Sequence, residues 1–178
     1  MKKRGEGLKE SIEKQLVGAE AYYYTAFMSC LCLPDICGYL DNGSLHSKPR
    51  YMKWFQTYAS EYMGNLTAEE AYAMRCVILH NGSTSTDQYL AGSPNSSIIL
   101  DKYVLTVNNS SHMNRFNNCS VDGVLLENMV VFNVTNYCHD MLRAVSDWEL
   151  KNGKKLDDYD QVFKFHDGSL DLGFVHIS

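Results

Sequence analysis

The sequence predicts a mainly α-helical domain, a bundle of about four helices with a small β-hairpin insertion. Apolar residues recur at three- and four-residue steps through most of the chain, and helix-capping signals bound these periodic segments. Residues typical of strands are concentrated in two short runs. With 178 residues, of which 45% are hydrophobic, the chain is long enough to bury one core. We therefore expect a single domain over residues 1–178, with its core at residues 8–151.

The first two helices are predicted from periodicity and turn signals. Apolar positions lie on one helix face from Leu8 to Leu33, and Pro34 is expected to end that helix. Residues 40–49 contain an Asn-Gly turn signal and are predicted to form a loop. A second helix is predicted from Arg50 to Tyr62. The helical spacing of its aromatic side chains favours core packing over a platform for stacking bases. These residues are Tyr51, Trp54, Phe55, Tyr58 and Tyr62.

The third helix has the clearest boundaries. Thr67 stands three residues before Glu70, which is the pattern of a capping box, so a helix is predicted from Ala68 to Leu79. Gly82 follows and can adopt the left-handed conformation that ends many helices.

The rest of the chain is predicted to hold the insertion, the last helix and the tail. Residues 81–97 are rich in Ser, Thr, Asn and Gly and are interpreted as a flexible loop. The runs Ile98–Val107 and Val124–Val131 flank the polar stretch 108–123, which predicts a hairpin with a long tip over about residues 98–131. The last helix is predicted from Val134 to Lys151, and the tail at 154–178 is interpreted as an arm docking on the body or on a partner.

Composition narrows the class of protein. A net charge of −5 argues against a surface designed throughout for nucleic acid, although it is compatible with a local basic cleft. The N-terminal segment is amphipathic and no apolar run is long enough for a bilayer, so we expect a cytoplasmic protein with no membrane contact. The six cysteines lack the paired spacing of zinc ligands and are interpreted as free thiols, so neither a metal nor a cofactor is predicted.

One motif points to chemistry: the third helix ends with Arg75 and His80, an Arg-x4-His pair at its C-terminal turn. This pair resembles the signature of HEPN domains, small helical bundles found in ribonuclease toxins, defence proteins and RNA-processing factors. Residues 33–38 and 50–55 are similar to the surroundings of the motif in plasmid- and phage-borne HEPN-like proteins. The resemblance covers roughly Leu8 to Lys151, without the insert and the tail.

The resemblance implies a metal-independent endoribonuclease of defence or toxin–antitoxin type, which works as a homodimer and cleaves RNA by 2′-hydroxyl transesterification. An antitoxin or another partner protein is compatible with this class. Arg75 would hold the phosphate, to which it offers a planar charged fork, and His80 would act as acid or base near neutral pH. Glu20 and Asp35 are both candidates for an acidic helper. A modest basic cluster is a weaker candidate for an RNA path. It consists of Lys48, Arg50 and Lys53.

Other interpretations of the motif stay open. Active HEPN ribonucleases commonly have a polar residue after the arginine, where this chain has Cys76. A non-catalytic module that binds RNA, nucleotide or protein is therefore an alternative. A helical scaffold dimer is another. His80 also suits a helix C-terminus for electrostatic reasons alone. Arg75 is a candidate for a structural ion pair with Glu70, Glu69 or Asp35. Five helical positions separate the two side chains by about 140°, so we expect them to meet only if the last turn loosens.

Overall fold

The computed structural model of the protein describes residues 7–17, 22–107, 112–121, 123–159 and 162. The fold of this part of the chain is mainly helical, with one small sheet, as the sequence predicts. Its helices are α1 (Leu8–Gln15), α2 (Tyr23–Asn42), α3 (Ser47–Trp54), α4 (Ala68–Asn81), α5 (Asp87–Gly92) and α6 (Val134–Asn152). Its strands are β1 (Lys102–Thr106), β2 (Asn114–Val121) and β3 (Val124–Asn133).

Helix α2 differs most from the prediction. The predicted helix from Leu8 to Leu33 is interrupted, since α1 ends at Gln15, and α2 continues through Pro34 to Asn42. A proline inside a helix removes one hydrogen bond and crowds the preceding turn. Here the residues around it, such as Leu33 and Cys37, are fully buried, and this burial outweighs the local penalty. As a result, Asp35 lies on a helix and not in a turn.

Helix α3 begins three residues earlier than predicted. It starts at Ser47, so Pro49 falls in its first turn, where a missing backbone N–H costs little. A π-helical turn, Phe55–Ala59, continues it. The predicted core packing of the aromatic series is confirmed for Tyr51, Trp54 and Phe55, all of which are at most 2% exposed.

Gly38 lets α2 and α3 approach closely. A Cβ atom at this position would lie 3.0 Å from the Arg50 side chain and 3.2 Å from the Arg50 carbonyl oxygen. The absence of a side chain at Gly38 therefore sets the spacing of the two helices that carry Asp35 and Arg50.

Helix α4 follows its sequence signals closely. Thr67 accepts a hydrogen bond from the Glu70 amide, and the Glu70 carboxylate accepts one from the Thr67 amide, which completes the predicted capping box. Gly82 ends the helix with a φ of +60°, in the left-handed region. The helix is two residues longer than predicted, because it continues to Asn81.

The insertion is a three-stranded sheet, in which β2 and β3 form an antiparallel hairpin and β1 is the additional strand. The strand order is β1-β3-β2, with β1 parallel and β2 antiparallel to β3. The two apolar runs do pair, but in parallel, so the predicted antiparallel pairing is wrong. The segment predicted as a polar tip contains β2, an edge strand with several exposed polar side chains, which gives it the composition of a loop. The predicted loop at residues 81–97 likewise contains the short helix α5.

The bundle is held together around α2, which packs against α1, α3 and α6. Trp148 on α6 donates an indole hydrogen bond of 2.8 Å to Asp41 near the end of α2. From the tail, Leu156 and Val162 are buried, and the rest of the tail beyond Val162 lies outside the described residues. No helix among the described residues is both long and apolar enough to cross a bilayer.

Candidate functional site

Arg75, His80 and Asp35 converge at the surface between α2 and α4. The Arg75 Nη1 atom lies 2.9 Å from His80 Nε2. The Arg75 Nε atom lies 2.9 Å from Asp35 Oδ2, an ion pair rather than an aligned hydrogen bond. The Arg75 and Asp35 side chains are 20% and 15% exposed, and His80 is exposed. These three residues form the candidate site.

The two motif residues meet without any loosening of the helix. Helix α4 continues through His80 to Asn81, so the expectation that its last turn must open is wrong. The long Arg75 side chain extends along the helix surface and reaches His80. The angle of about 140° between the two positions on the helix therefore overstates the distance between the ends of their side chains. One protomer therefore brings Arg75 and His80 together by itself.

Asp35 is held from a second helix. The Ser47 hydroxyl at the start of α3 donates a hydrogen bond of 2.8 Å to Asp35 Oδ1. Arg50 Nη2, also on α3, lies 4.0 Å from the same oxygen. The carboxylate is thus flanked by two guanidinium groups and a hydroxyl, which fixes its orientation toward Arg75.

Burial and charge act in opposite directions on Arg75. Partial desolvation lowers its pKa, but the Asp35 charge and the Cys76 side chain outweigh this and raise it above its usual value. Arg75 therefore stays a cation at any physiological pH. A guanidinium only donates hydrogen bonds, so His80 Nε2 is the acceptor in this arrangement and the ring proton lies on Nδ1. In this arrangement the lone pair of His80 Nε2 is therefore occupied by the Arg75 guanidinium.

Two further groups near Arg75 were not among the sequence-predicted site residues. Ser47 holds Asp35, and its position at a helix start gave no such signal. Tyr72 lies one turn before Cys76 on α4, and its pKa is raised by burial and by the neighbouring thiol. The four-residue spacing of Tyr72, Cys76 and His80 is the signal that could have grouped them on one face.

The basic residues predicted to line an RNA path do not all lie at the candidate site. Arg50 joins the site, and Lys53 is exposed on α3 at a neighbouring cavity. Lys48 is instead bound to Glu69, with 2.8 Å between its Nζ and the Glu69 Oε1, and it also lies over the Tyr89 ring. Glu20, the other proposed acidic helper, lies outside the described residues.

Of the three structural partners considered for Arg75, Asp35 is the one that pairs with it. The other two carboxylates bind other cations. Glu69 binds Lys48, and Glu70 accepts a contact of 2.6 Å from Arg115 on β2. Among the described residues, no group of three His, Cys, Asp or Glu side chains could hold a metal ion.

The pair Lys48–Glu69 gives a prediction for stability against pH. Hydrogen bonds from Lys48, Ser96 and Ser97 lower the pKa of Glu69 to about 2. Because the Glu69 pKa is lower in the folded chain than its ordinary value of 4.5, the ionised carboxylate stabilises the fold above pH 4.5. This stabilisation is lost as the pH falls toward 2 and the carboxylate is protonated. Urea unfolding should show a contribution of about 1 kcal/mol lost on acidification, after allowance for solvent screening. Glu69→Gln should remove that contribution.

The matched control is Glu127→Gln, which removes one exposed carboxylate on β3. If the acid-induced loss is the same in Glu69→Gln as in the wild type, the Lys48 pair does not stabilise the fold.

No protein-family model, curated protein or solved structure matches this chain. The class that the residues resemble, HEPN-like domains, therefore stays a prediction.

Proposed function

We propose that this protein is a HEPN-like, metal-independent endoribonuclease of defence or toxin–antitoxin type. The observation that carries the proposal is the contact of Arg75 with both Asp35 and the exposed His80, at the end of one helix. Cleavage of RNA next to its 2′-hydroxyl needs a base, a stabiliser of phosphate charge and an acid. The site supplies an imidazole and a fixed guanidinium, which are suited to the first two tasks.

In the proposed reaction, His80 Nε2 takes the proton of the 2′-hydroxyl. The 2′ oxygen attacks the adjacent phosphorus, and the bond from phosphorus to the 5′ oxygen breaks. The products are a 2′,3′-cyclic phosphate and a 5′-hydroxyl, which receives a proton as it leaves. In a homodimer, a protonated His80 imidazole of a second copy can donate that proton and become neutral, so the proposed active form is a dimer.

Arg75 changes one partner when RNA binds. Its Nη1 atom, which contacts His80 in the free protein, turns to a phosphate oxygen, and its Nε atom stays at Asp35. This exchange frees His80 Nε2 to accept the hydroxyl proton. Asp35 then acts as a positioning residue, because it holds the guanidinium without touching the RNA.

The proposal predicts cleavage without divalent metal. Wild-type protein incubated with a structured RNA in EDTA should yield fragments with cyclic phosphate ends, detectable by mass spectrometry. The matched substrate is the same RNA with a deoxynucleotide at the mapped cleavage position, which lacks the attacking hydroxyl. This substrate should resist cleavage at that position. Equal cleavage of both substrates, or cleavage only with added metal, would contradict the mechanism.

A second candidate is a non-catalytic HEPN-like module that binds RNA, nucleotide or a partner protein. The ion pair between Arg75 and Asp35 favours it, because the carboxylate balances the arginine charge within the protein itself. The two candidates differ in the same assay: an RNA-binding module would retain RNA on a filter and leave it intact. A scaffold dimer would neither retain nor cleave the RNA.

A further inference from the structure

A cavity separate from the Arg75 contacts lies between α2, α3 and α6. Its volume is about 340 Å³, which is larger than a single phosphate ion requires and suits a small organic molecule. Three cations line it, namely Arg50, Lys53 and Lys151. Of these, Arg50 on α3 also faces Asp35.

The charge of the cavity is positive. Among the described residues, Asp41 is the one acidic residue that lines it, and the Asp41 carboxylate already accepts the 2.8 Å hydrogen bond from the Trp148 indole. Lys53 and Lys151 are exposed and form no ion pair with a carboxylate of the described residues. Lys151 instead lies 5.0 Å from the centre of the Tyr58 ring, which also lines the cavity. The cavity therefore favours an anion.

Two of the residues that line the cavity, Trp54 and Arg50, each carry a buried N–H donor. Trp54 is 2% exposed, and its Nε1 has no acceptor among the described residues. The other tryptophan of the chain, Trp148, satisfies its indole N–H with Asp41. A buried N–H without an acceptor is unfavourable, and most such groups are paired. The Nε atom of Arg50, a second wall residue, is likewise buried and has no acceptor among the described residues.

We propose that this cavity binds an organic phosphate. The phosphate group meets Lys53 and Lys151, and an oxygen atom of the ligand accepts the Trp54 indole N–H. The volume beyond the phosphate is filled by the organic part, beside the Tyr58 ring. This site differs from the one proposed for cleavage, with which it shares only Arg50.

AMP is a suitable probe, with adenosine and inorganic phosphate as the two partial ligands. Calorimetric titration of the full chain should show saturable binding of AMP, weaker binding of inorganic phosphate, and little binding of adenosine. Adenosine binding as tightly as AMP would overturn the role of the phosphate, and inorganic phosphate binding as tightly would overturn the role of the organic part. No saturable binding of AMP up to about 10 mM would overturn the site itself.

Variants locate the binding within the cavity. Lys53→Ala and Lys151→Ala each remove one exposed cation and should weaken AMP binding by about tenfold. Lys155→Ala removes an equal charge outside the cavity and should leave AMP binding unchanged. Trp54→Phe keeps a buried ring without the donor and should weaken binding about fivefold, with folding checked by thermal melting. Equal weakening by Lys155→Ala would overturn the assignment. Because the titration uses no RNA, its outcome is independent of whether the protein cleaves RNA.

Discussion

Replacing His80 by alanine is expected to reduce RNA cleavage by roughly 100- to 10,000-fold, the range typical for loss of a general acid or base. The expected loss is large because His80, an exposed residue in contact with Arg75, is the proposed base. Arg75 would remain held by Asp35, so phosphate binding should change much less than the rate of cleavage. The measurement is single-turnover cleavage in EDTA, with RNA binding followed separately.

The matched control is His139→Ala, which removes an exposed imidazole on α6, outside the candidate site. It should leave cleavage unchanged, and neither variant should lower the melting temperature appreciably, since both side chains are exposed. Cleavage at the wild-type rate in His80→Ala would exclude the proposed base.

The largest expected effect on stability comes from Glu70→Ala, at about 3 kcal/mol of unfolding free energy. Glu70 is 4% exposed, and its carboxylate accepts hydrogen bonds from the Thr67 amide and hydroxyl at 2.8 and 2.9 Å. Arg115 on β2 contributes a third contact of 2.6 Å. The substitution would break the capping box of α4 and leave the Arg115 guanidinium, which is 27% exposed, without its carboxylate.

A loss of this size should lower the melting temperature by roughly 6–12 °C in a chain of this length. Glu70→Gln tests the role of charge, because the amide oxygen can still accept from Thr67 but no longer carries the charge that faces Arg115. It should cost less than Glu70→Ala. Glu61→Ala, which removes an exposed carboxylate, should change stability by no more than about 0.5 kcal/mol. An equal effect of Glu61→Ala and Glu70→Ala would show that the buried network adds nothing.

Helix α4 shows how much of the candidate site was predictable. Its beginning at Thr67, its end at Gly82 and the placement of Arg75 and His80 near its C-terminus all follow from signals within a few residues of each other. The sequence also offered Asp35 as one of two acidic helpers. It could not choose between them, because that choice depends on which carboxylate the packing of α2 brings to Arg75.

Local sequence signals predicted the wrong structure where the tertiary packing of a segment had the larger effect. Pro34 has the local signature of a helix end, yet α2 continues through it because its neighbours are buried in the core. The polar composition of β2 indicated a loop, although an exposed edge strand has much the same composition. The parallel pairing of β1 with β3 also lies beyond local signals, since a pair of apolar runs does not specify direction.

By itself, the sequence determined the helical class of the fold, the capped helix α4 and the position of an Arg-x4-His pair at its end. The tertiary structure alone decided that Arg75 pairs with Asp35, that Arg50 lies between the site and the cavity, and that β1 and β3 are parallel. The physical reason is the separation along the chain of the residues that interact. Caps and periodicity act between residues a few positions apart, whereas ion-pair partners and strand direction are selected by the burial of segments far apart in the chain.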